Sequence, residues 1–230
     1  MDRIPEPELM DELLQARAYA AADFSHPDQA LVDAALERFG AAGLGPRLVD
    51  LGCGPGNITF RLAAACPAAA VLGLDGAGAM LAIAEGRRRA DPQRWRQVAF
   101  RLARLPLDWL EEAVFAPPFT PPFSAVVSNS LLHHLHDPGV LWRSVRQLAA
   151  PGAAVMVRDL RRPASPGALA ALVEHHAAAA PAILRRDFSL SLRAAFSPEE
   201  VEAQLQAGGL GCLTVRELED RYLEVAGQLD

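Results

Sequence analysis

The spacing of apolar residues changes several times along the chain, and each change predicts a different secondary structure. From residue 6 to residue 40 the spacing is helical, with a break near His26-Pro27, so two helices are predicted before the first strand. Their apolar stripes consist of Leu9, Leu13, Leu14 and Ala18 in the first helix and Leu31, Ala35, Leu36 and Phe39 in the second. The N-terminal 40 residues are therefore expected to form a helical layer of their own.

From residue 47 onward, short apolar runs alternate with helical segments. Strands are predicted at 48–51, 71–75, 98–102, 125–128, 153–160, 212–217 and 222–225. Helices are predicted at 57–66, from the end of the second strand to about residue 90, at 139–148, and after a capping box at Ser197. Alternation of this kind places parallel strands between two layers of helices. We expect a doubly wound α/β fold: a mostly parallel seven-stranded sheet with helices on both faces and an N-terminal helical cap.

Two segments interrupt this alternation. Residues 116–123 contain four prolines, and because proline lacks an amide donor and fixes its backbone angle, this segment is predicted to be a stiff surface loop. Residues 161–186 are rich in alanine, with prolines at positions 163, 166 and 181. They are predicted to form one or two helices outside the sheet.

The charge balance disfavours a polyanionic partner. The chain has 22 Arg and Lys against 28 Asp and Glu, a formal charge of −6, which repels nucleic acid over most of the surface. The three cysteines, Cys53, Cys66 and Cys212, form no CxxC pair, a pattern that suits a reducing compartment. No stretch approaches 18 uninterrupted apolar residues. We therefore expect a cytoplasmic protein with no nucleic-acid or membrane partner.

A glycine-rich turn follows the first predicted strand, where residues 50–57 read D-L-G-C-G-P-G-N. Glycines let the backbone approach a ligand without a β-carbon in the way, and the next helix presents free amides. A dinucleotide site would need glycine where Asn57 stands, and a phosphate loop would need lysine, which the chain lacks. Asp50 suits an ammonium group, and Asp75 ends the second strand, where a carboxylate accepts ribose hydroxyls. The sequence predicts an adenosine that carries an ammonium group and no phosphate.

These residues resemble the first two motifs of class I S-adenosylmethionine-dependent methyltransferases, here D-L-G-C-G-P-G-N and G-L-D-G-A-G-A-M-L. The likeness continues through the fourth-strand motif of residues 123–138 and the Pro151-Gly152 turn before the fifth strand, and it covers roughly residues 40 to 160. The resemblance implies a Rossmann-like fold, S-adenosyl-L-methionine as cofactor and S-adenosyl-L-homocysteine as product.

The resemblance also implies a set of cofactor contacts. The candidates are Asp50 for the ammonium group, Gly52, Cys53 and Gly54 for the methionine part, Asp75 for the ribose, Gly76 and Met80 for adenine, and in addition Asn129. Tyr19 is a further candidate, because the N-terminal segment is expected to close over the adenosine. Many members of the family have an acid after the third strand that binds the adenine amino group, whereas residues 100–106 contain none. Adenine contact is therefore assigned to the backbone near Leu102.

Three histidines, His133, His134 and His136, follow the predicted fourth strand, at the sheet edge where ligands of such folds bind. His134 and His133 are the candidate catalytic residues, because a base is needed if the acceptor must lose a proton; structural packing is the alternative. Adjacent histidines point apart, and no matching ligand cluster is visible elsewhere, so no metal site is predicted. His175-His176 either line the acceptor pocket or lie on a solvated helix face.

The expected activity is direct in-line methyl transfer to a small-molecule acceptor. Residues 129–131 lack the Pro-Pro-aromatic sequence of enzymes that methylate exocyclic amines, which argues against DNA. A protein or peptide acceptor and a non-catalytic nucleoside-binding protein are the alternatives, and a nicotinamide oxidoreductase is disfavoured by Asn57. One domain is expected over 1–230, with a lid over 1–40, a cofactor-binding core over 41–160, and acceptor-side helices with closing strands over 161–230. No oligomeric state is predicted.

Overall fold

Helices and strands alternate through most of the structure, a computed structural model that describes residues 1–7, 9, 11–107 and 115–230. In chain order the elements are α1 (Leu13–Ala21), α2 (Ser25–Leu44), β1 (Arg47–Leu51), α3 (Asn57–Ala65), β2 (Ala70–Asp75), α4 (Gly78–Ala90), β3 (Val98–Leu102), β4 (Phe123–Asn129), a short 3₁₀ helix (Leu132–His134), α5 (Gly139–Leu148), β5 (Ala149–Leu160), α6 (Pro166–Ala177), α7 (Ala182–Ala194), α8 (Pro198–Ala207), β6 (Thr214–Leu218) and β7 (Tyr222–Gln228).

The seven strands form one sheet in the order β3-β2-β1-β4-β5-β7-β6. Strands β1 to β5 run parallel to one another, and β7 runs antiparallel to both β5 and β6. Parallel neighbours require long crossovers, and here helices supply them. The predicted mostly parallel, seven-stranded, doubly wound sheet is confirmed.

Side chains of β1 alternate between two apolar layers, as the period of a strand requires. Val49 packs in the layer covered by α5 and α8, whereas Leu48 packs in the layer covered by α2, α3 and α4. The sheet is therefore covered on both faces, as predicted, and its central strands are buried on both sides. At the start of α8, the hydroxyl of Ser197 accepts from the Glu200 amide (3.3 Å) and the Glu200 carboxylate accepts from the Ser197 amide (2.8 Å). The predicted capping box is confirmed.

The order of the strands reverses at β1, which lies between β2 and β4. At such a switch point the connections leave the sheet in opposite directions, and a crevice opens at the carboxyl ends of the strands. The glycine-rich turn after β1, the end of β2 and the 3₁₀ helix after β4 all lie at this edge. The fold thus brings the candidate residues of the sequence analysis to one place.

The N-terminal segment differs from the sequence prediction. The first helix begins at Leu13 instead of near residue 6, because Pro5 and Pro7 interrupt the preceding segment. The apolar stripe predicted for this helix is not buried throughout, since Leu13 is 53% and Leu14 76% exposed. Residues 1–7 instead form a non-helical segment whose Ile4 amide donates to the Arg193 carbonyl (3.0 Å).

The break between the first two helices lies at residues 22–24, two to four positions before the His26-Pro27 pair near which it was predicted. Pro27 is in the first turn of α2, where amides have no partner within the helix and proline is tolerated. Strand β5 begins earlier than predicted, at Ala149, and β7 extends to Gln228. Residues 161–186 contain α6 and the beginning of α7. Among the described residues, no helix has the length and apolar character needed to cross a bilayer.

Candidate functional site

A cavity of about 860 Å³ lies at the carboxyl edge of the sheet. This volume is at the upper end of the range of small-molecule sites. All but one of the sequence-predicted site residues line it: Tyr19, Asp50, Gly52, Cys53, Gly54, Asp75, Gly76, Met80, Asn129, His133 and His134. The fold thus gathers residues from both sides of the strand-order switch around one space.

Leu102 is the exception. Its side chain is 59% exposed and is absent from the cavity wall, which at this point consists of Ala103, Arg104 and Leu105. Strand β3 ends at Leu102, so the residues that turn toward the cavity come one to three positions later. The backbone contact with adenine near Leu102 stays a prediction, and in this part of the cavity wall the lining residues are the three that follow Leu102.

The glycine-rich turn is fixed by backbone hydrogen bonds to the end of β2. The amides of Gly52 and Cys53 both donate to the Leu74 carbonyl, at 2.8 and 3.0 Å. Gly52 has a φ of +71°, and a Cβ at this position would lie 2.9 Å from the Leu131 side chain. Both the backbone conformation and the available space therefore require glycine here.

Gly54 lies beside open space, unlike Gly52. Its φ is +52°, and no described atom lies within 4 Å of the position where a Cβ would stand. Its amide donates to Asp75 Oδ2 at 2.7 Å, and the Ala77 amide donates to Asp75 Oδ1 at 2.7 Å. The Asp75 carboxylate is thus held between the turn and the start of α4, and each of its oxygens retains a lone pair for a ligand hydroxyl.

Asp50 is a buried carboxylate with incomplete hydrogen bonding. Its side chain is 1% exposed, and the Thr59 hydroxyl donates to Oδ2 at 2.6 Å. Among the described residues, Oδ1 has no hydrogen-bond partner. Burial raises the pKa of Asp50 to about 7 because the charged form is poorly solvated. A cationic ligand would recover the free energy that this unpaired oxygen costs.

The two predicted catalytic histidines stand on the 3₁₀ helix after β4, with ring centroids 4.2 Å apart. Asp159, near the end of β5, accepts from the Leu132 amide (2.6 Å) and hydrogen-bonds His133 Nδ1. Burial alone would lower the pKa of His133, but the Asp159 carboxylate raises it above its usual value. The pKa of His134 is instead well below its usual value because of burial and the neighbouring His133.

Glu6 approaches both histidines from the N-terminal segment. Its Oε1 lies 3.5 Å from His133 Nε2 and 3.3 Å from His134 Nδ1. Arg3 holds this segment in place, because its guanidinium donates to the carbonyls of His133 (3.1 Å), Leu135 (2.9 Å) and Ala194 (2.6 Å). The result is a buried cluster of two carboxylates and two imidazoles at one side of the cavity.

Cationic and aromatic side chains from the C-terminal part complete the cavity. Arg158 is 4% exposed and donates to Glu224 Oε2 at 2.7 Å, while its Nε has no hydrogen-bond partner among the described residues. Arg221 and Tyr222 also line the cavity. His176 is part of the wall and hydrogen-bonds Asp220 (2.7 Å), whereas His175 is absent from it.

Sequence reasoning missed several residues of this site: Glu6, Thr59, Arg158, Asp159 and Tyr222. The two polar residues near the end of β5 carry the same signal that identified Asp50 and Asp75, since they stand at the carboxyl end of a central parallel strand. For Glu6 the sequence offers no signal. Its position depends on a segment of chain that packs far from its sequence neighbours.

Comparison with known proteins gives a consistent result. The sequence of residues 49–155 matches the methyltransferase domain family. Trans-aconitate 2-methyltransferase of Methylobacterium nodulans is 42% identical over 113 residues, which are 49% of this chain and 37% of that protein. The protein of the same name from Methylobacterium radiotolerans is 36% identical over 114 residues, 49% of this chain and 38% of that protein. The chain thus spans less than two fifths of the length of these relatives.

The solved structures extend the likeness to the whole fold. A putative S-adenosyl-L-methionine-dependent methyltransferase from Methanococcus maripaludis superposes with a TM-score of 0.68 at 16% identity, and the match covers 99% of this chain and 98% of that protein. At this level of identity the likeness shows the fold alone.

Proposed function

We propose that the chain, whose residues 49–155 match the methyltransferase domain family and whose fold resembles that of class I S-adenosylmethionine-dependent methyltransferases, binds S-adenosyl-L-methionine and transfers the methyl group to a small molecule. The observation that carries the proposal is that the open side of the glycine-rich turn and the carboxylates of Asp50 and Asp75 face the same cavity as His133 and His134. Donor and acceptor would then meet inside one space.

The donor half of the cavity fits the cofactor's polar groups. The unpaired Oδ1 of Asp50 suits the ammonium group, and the Asp75 oxygens, already oriented by two backbone amides, suit the ribose hydroxyls. The empty space beside Gly54 leaves room for a ligand to approach the backbone. The remaining proposed contacts are Gly52, Cys53, Gly76, Met80, Asn129 and Tyr19, with the 103–105 segment beside adenine.

The bound cofactor supplies a methyl group on a positively charged sulfur. Transfer of this group requires the protein to hold the acceptor in line with the sulfur–carbon bond and to exclude water. Helix α1 serves the second purpose in our proposal: Tyr19 lines the cavity, and Gln15 Nε2 donates to Asp187 Oδ2 of α7 at 2.9 Å. This bond links the N-terminal helix to the acceptor-side helices.

An organic acid is the acceptor class that we propose to test first. Two relatives are named for trans-aconitate, and three arginines, Arg104, Arg158 and Arg221, line the cavity. Arginine pairs well with carboxylates. A carboxylate acceptor is already ionised at neutral pH and needs positioning but no base. For a hydroxyl or thiol acceptor, His134 or His133 would be the base.

Two other hypotheses make different predictions. A protein or peptide acceptor would need a cavity open to a large partner, whereas the hydrogen bond between Gln15 of α1 and Asp187 of α7 joins two helices that line the cavity and favours a small molecule. A non-catalytic nucleoside-binding protein would keep the donor half alone. The charged cluster of the acceptor half, with its buried Asp159 and Glu6, favours an enzyme.

The first experiment is a thermal-shift series with S-adenosyl-L-methionine, S-adenosyl-L-homocysteine and NAD, since a ligand that binds the native state raises its melting temperature. We expect the first two to stabilise the protein and NAD to have no effect. Transfer of an isotope-labelled methyl group to a panel of small organic acids, including trans-aconitate, then tests the acceptor class. Stabilisation by NAD alone would contradict the proposal. Binding of S-adenosyl-L-methionine without methyl transfer to any tested small molecule or peptide would favour the hypothesis of a non-catalytic protein.

A further inference from the structure

The cluster of Glu6, His133 and His134 contains more ionisable side chains than the methyl transfer needs, especially for an acceptor that is already ionised and requires no base. We propose that Glu6 Oε1, His133 Nε2 and His134 Nδ1 bind a zinc ion at the acceptor side of the cavity. The sequence analysis predicts no metal here because it finds no further ligand, and in the structure the third ligand comes from a segment 127 positions before the first histidine.

The distances between the three atoms match a tetrahedral zinc site. Zinc binds imidazole nitrogen and carboxylate oxygen at about 2.0–2.2 Å, so two ligand atoms on one tetrahedron are separated by roughly 3.3–3.6 Å. Glu6 Oε1 lies 3.5 Å from His133 Nε2 and 3.3 Å from His134 Nδ1, and all three atoms lie within 4.8 Å of one another. An ion could bind with only small side-chain movements.

The hydrogen bonding of the cluster is incomplete without a ligand. Glu6 Oε1 and His134 Nδ1 are both buried, and neither has a hydrogen-bond partner among the described residues. Glu6 as a whole is 8% exposed. Buried polar atoms without partners are rare in native proteins because each costs free energy. Two of them that lie 3.3 Å apart indicate a missing partner that both can bind.

The surrounding residues orient the ligands as in known zinc sites. His133 hydrogen-bonds Asp159 through Nδ1, which leaves Nε2 for the metal, and such a carboxylate–histidine pair is typical of zinc ligands. The other Glu6 oxygen, Oε2, accepts from the Ser191 hydroxyl at 3.3 Å. Each of these two ligands is thus held by a second contact that does not compete for the proposed zinc-binding atom.

The charge of the cluster also favours a cation. The carboxylates of Glu6 and Asp159 bring two negative charges into a buried region, which one divalent ion would balance while both imidazoles stay neutral. Arg3 is the nearby positive group, and it is directed toward backbone carbonyls of His133 and Leu135. A proton on His133 is the other way to balance part of this negative charge, and the zinc-binding experiment below distinguishes a bound metal ion from a bound proton.

Two histidines and one glutamate are a ligand set that zinc enzymes use when a fourth position stays open for water or substrate. His133 and His134 line the cavity, so an acceptor's carboxylate, hydroxyl or thiol could take that position. This use of the ion rests on the proposed function, whereas the zinc site itself does not. The test therefore measures the metal alone.

A second histidine pair in the same chain supplies the control. His175, His176 and Asp220 also lie close together, but all three are exposed. His176 Nε2 already contacts Asp220 Oδ2 (2.7 Å) and Arg221 (2.9 Å). A guanidinium beside the ligand nitrogen opposes a metal ion. We expect no tight site at this second pair, although it has the same adjacent histidines.

The experiment uses the full-length chain without a histidine tag, freed of metal with a chelator. Zinc is added back in competition with a chromophoric chelator, in the absence of cofactor and acceptor, and cobalt replaces zinc in a parallel sample to report tetrahedral coordination by its visible absorption. The variants are Glu6→Gln, His134→Ala and, as control, His175→Ala. Circular dichroism and S-adenosyl-L-homocysteine binding confirm that each variant is folded.

For the parent we expect one equivalent of tightly bound zinc and a tetrahedral cobalt spectrum. In Glu6→Gln and His134→Ala the zinc affinity should be at least about a hundredfold weaker, since loss of a residue that only supports a ligand already lowers metal affinity roughly ten- to a hundredfold. His175→Ala should bind like the parent. Absence of binding in the parent, or equal binding in Glu6→Gln and the parent, would overturn the site. Loss of zinc binding in His175→Ala alone would place the metal at the second histidine pair and would also overturn the site at Glu6, His133 and His134. Cofactor binding is measured separately, so the proposed function can stand or fall independently.

Discussion

The two halves of the cavity are built in different ways. The donor half comes mainly from two short stretches, 50–57 and 75–80. Backbone amides fix the geometry of these stretches: those of Gly52 and Cys53 bind the Leu74 carbonyl, and those of Gly54 and Ala77 bind Asp75. The acceptor half comes from positions far apart, such as Glu6 and Asp159, and it is held by charged side chains.

The match to the methyltransferase domain family bears on this difference. It covers 49–155, which includes the whole of 50–57 and 75–80 as well as His133 and His134, but not Glu6, Arg158 or Asp159. A backbone-built site needs only glycines and one or two acids at fixed spacing, so it persists in short motifs. A site of side chains from distant elements can change with each element. The halves should therefore respond separately to substitution.

The largest expected effect lies in the acceptor half. We expect His134→Ala to lower single-turnover methyl transfer at least about a hundredfold, whether it acts as a base or positions the acceptor. Its affinity for S-adenosyl-L-homocysteine should be unchanged, and His175→Ala, which alters no cavity residue, should match the parent in both measurements. A loss in rate of less than about tenfold would indicate that His134 has a packing role.

The converse variant addresses the donor half. Asp75→Ala removes an acceptor that two backbone amides orient, and loss of a charged hydrogen-bond partner costs about 1.5–3 kcal/mol. Calorimetry should show cofactor-product affinity weaker by roughly ten- to a hundredfold, with a smaller loss in Asp75→Asn, which keeps one acceptor oxygen. Unchanged affinity in Asp75→Ala would contradict the ribose assignment.

The pKa of Asp50 gives the donor half a pH dependence. Burial raises this pKa to about 7, so the free protein carries a protonated Asp50 below that value, whereas an ammonium group needs the carboxylate. Affinity for S-adenosyl-L-homocysteine should be about tenfold weaker at pH 6 than at pH 7.5, and Asp50→Asn should remove the dependence. The stability of the free protein should change in the opposite sense, falling as the pH rises through about 7. Identical affinities at both pH values would contradict the role of Asp50.

The smallest expected effect concerns the contact between the two halves. Helix α1 touches the acceptor-side helix α7 through Gln15 and Asp187 and contributes Tyr19 to the cavity wall. Amide hydrogen exchange in residues 13–21 should slow severalfold when S-adenosyl-L-homocysteine binds. Gln15→Ala should reduce this protection. Equal exchange with and without the ligand would show that the helix is not a lid.

Much of the donor half follows from the sequence. The turn needs glycine at Gly52 because φ is positive and a side chain would collide with Leu131. Asp50 and Asp75 are recognisable because they end or follow strands whose apolar runs are clear in the sequence. The cavity wall beside Leu102 consists of the next three residues, because a strand pattern shows where a strand ends but leaves open how the chain turns afterwards.

The sequence by itself determined the sheet, its two helical layers and the glycine-rich turn, because each depends on local periodicity and backbone conformation. Only the tertiary structure decided that Glu6 reaches His133 and His134. The prolines at positions 5 and 7 keep that segment from joining the first helix, and Arg3 pins it to the carbonyls of His133, Leu135 and Ala194. Contacts between residues some 130 positions apart follow from packing, which no local pattern encodes.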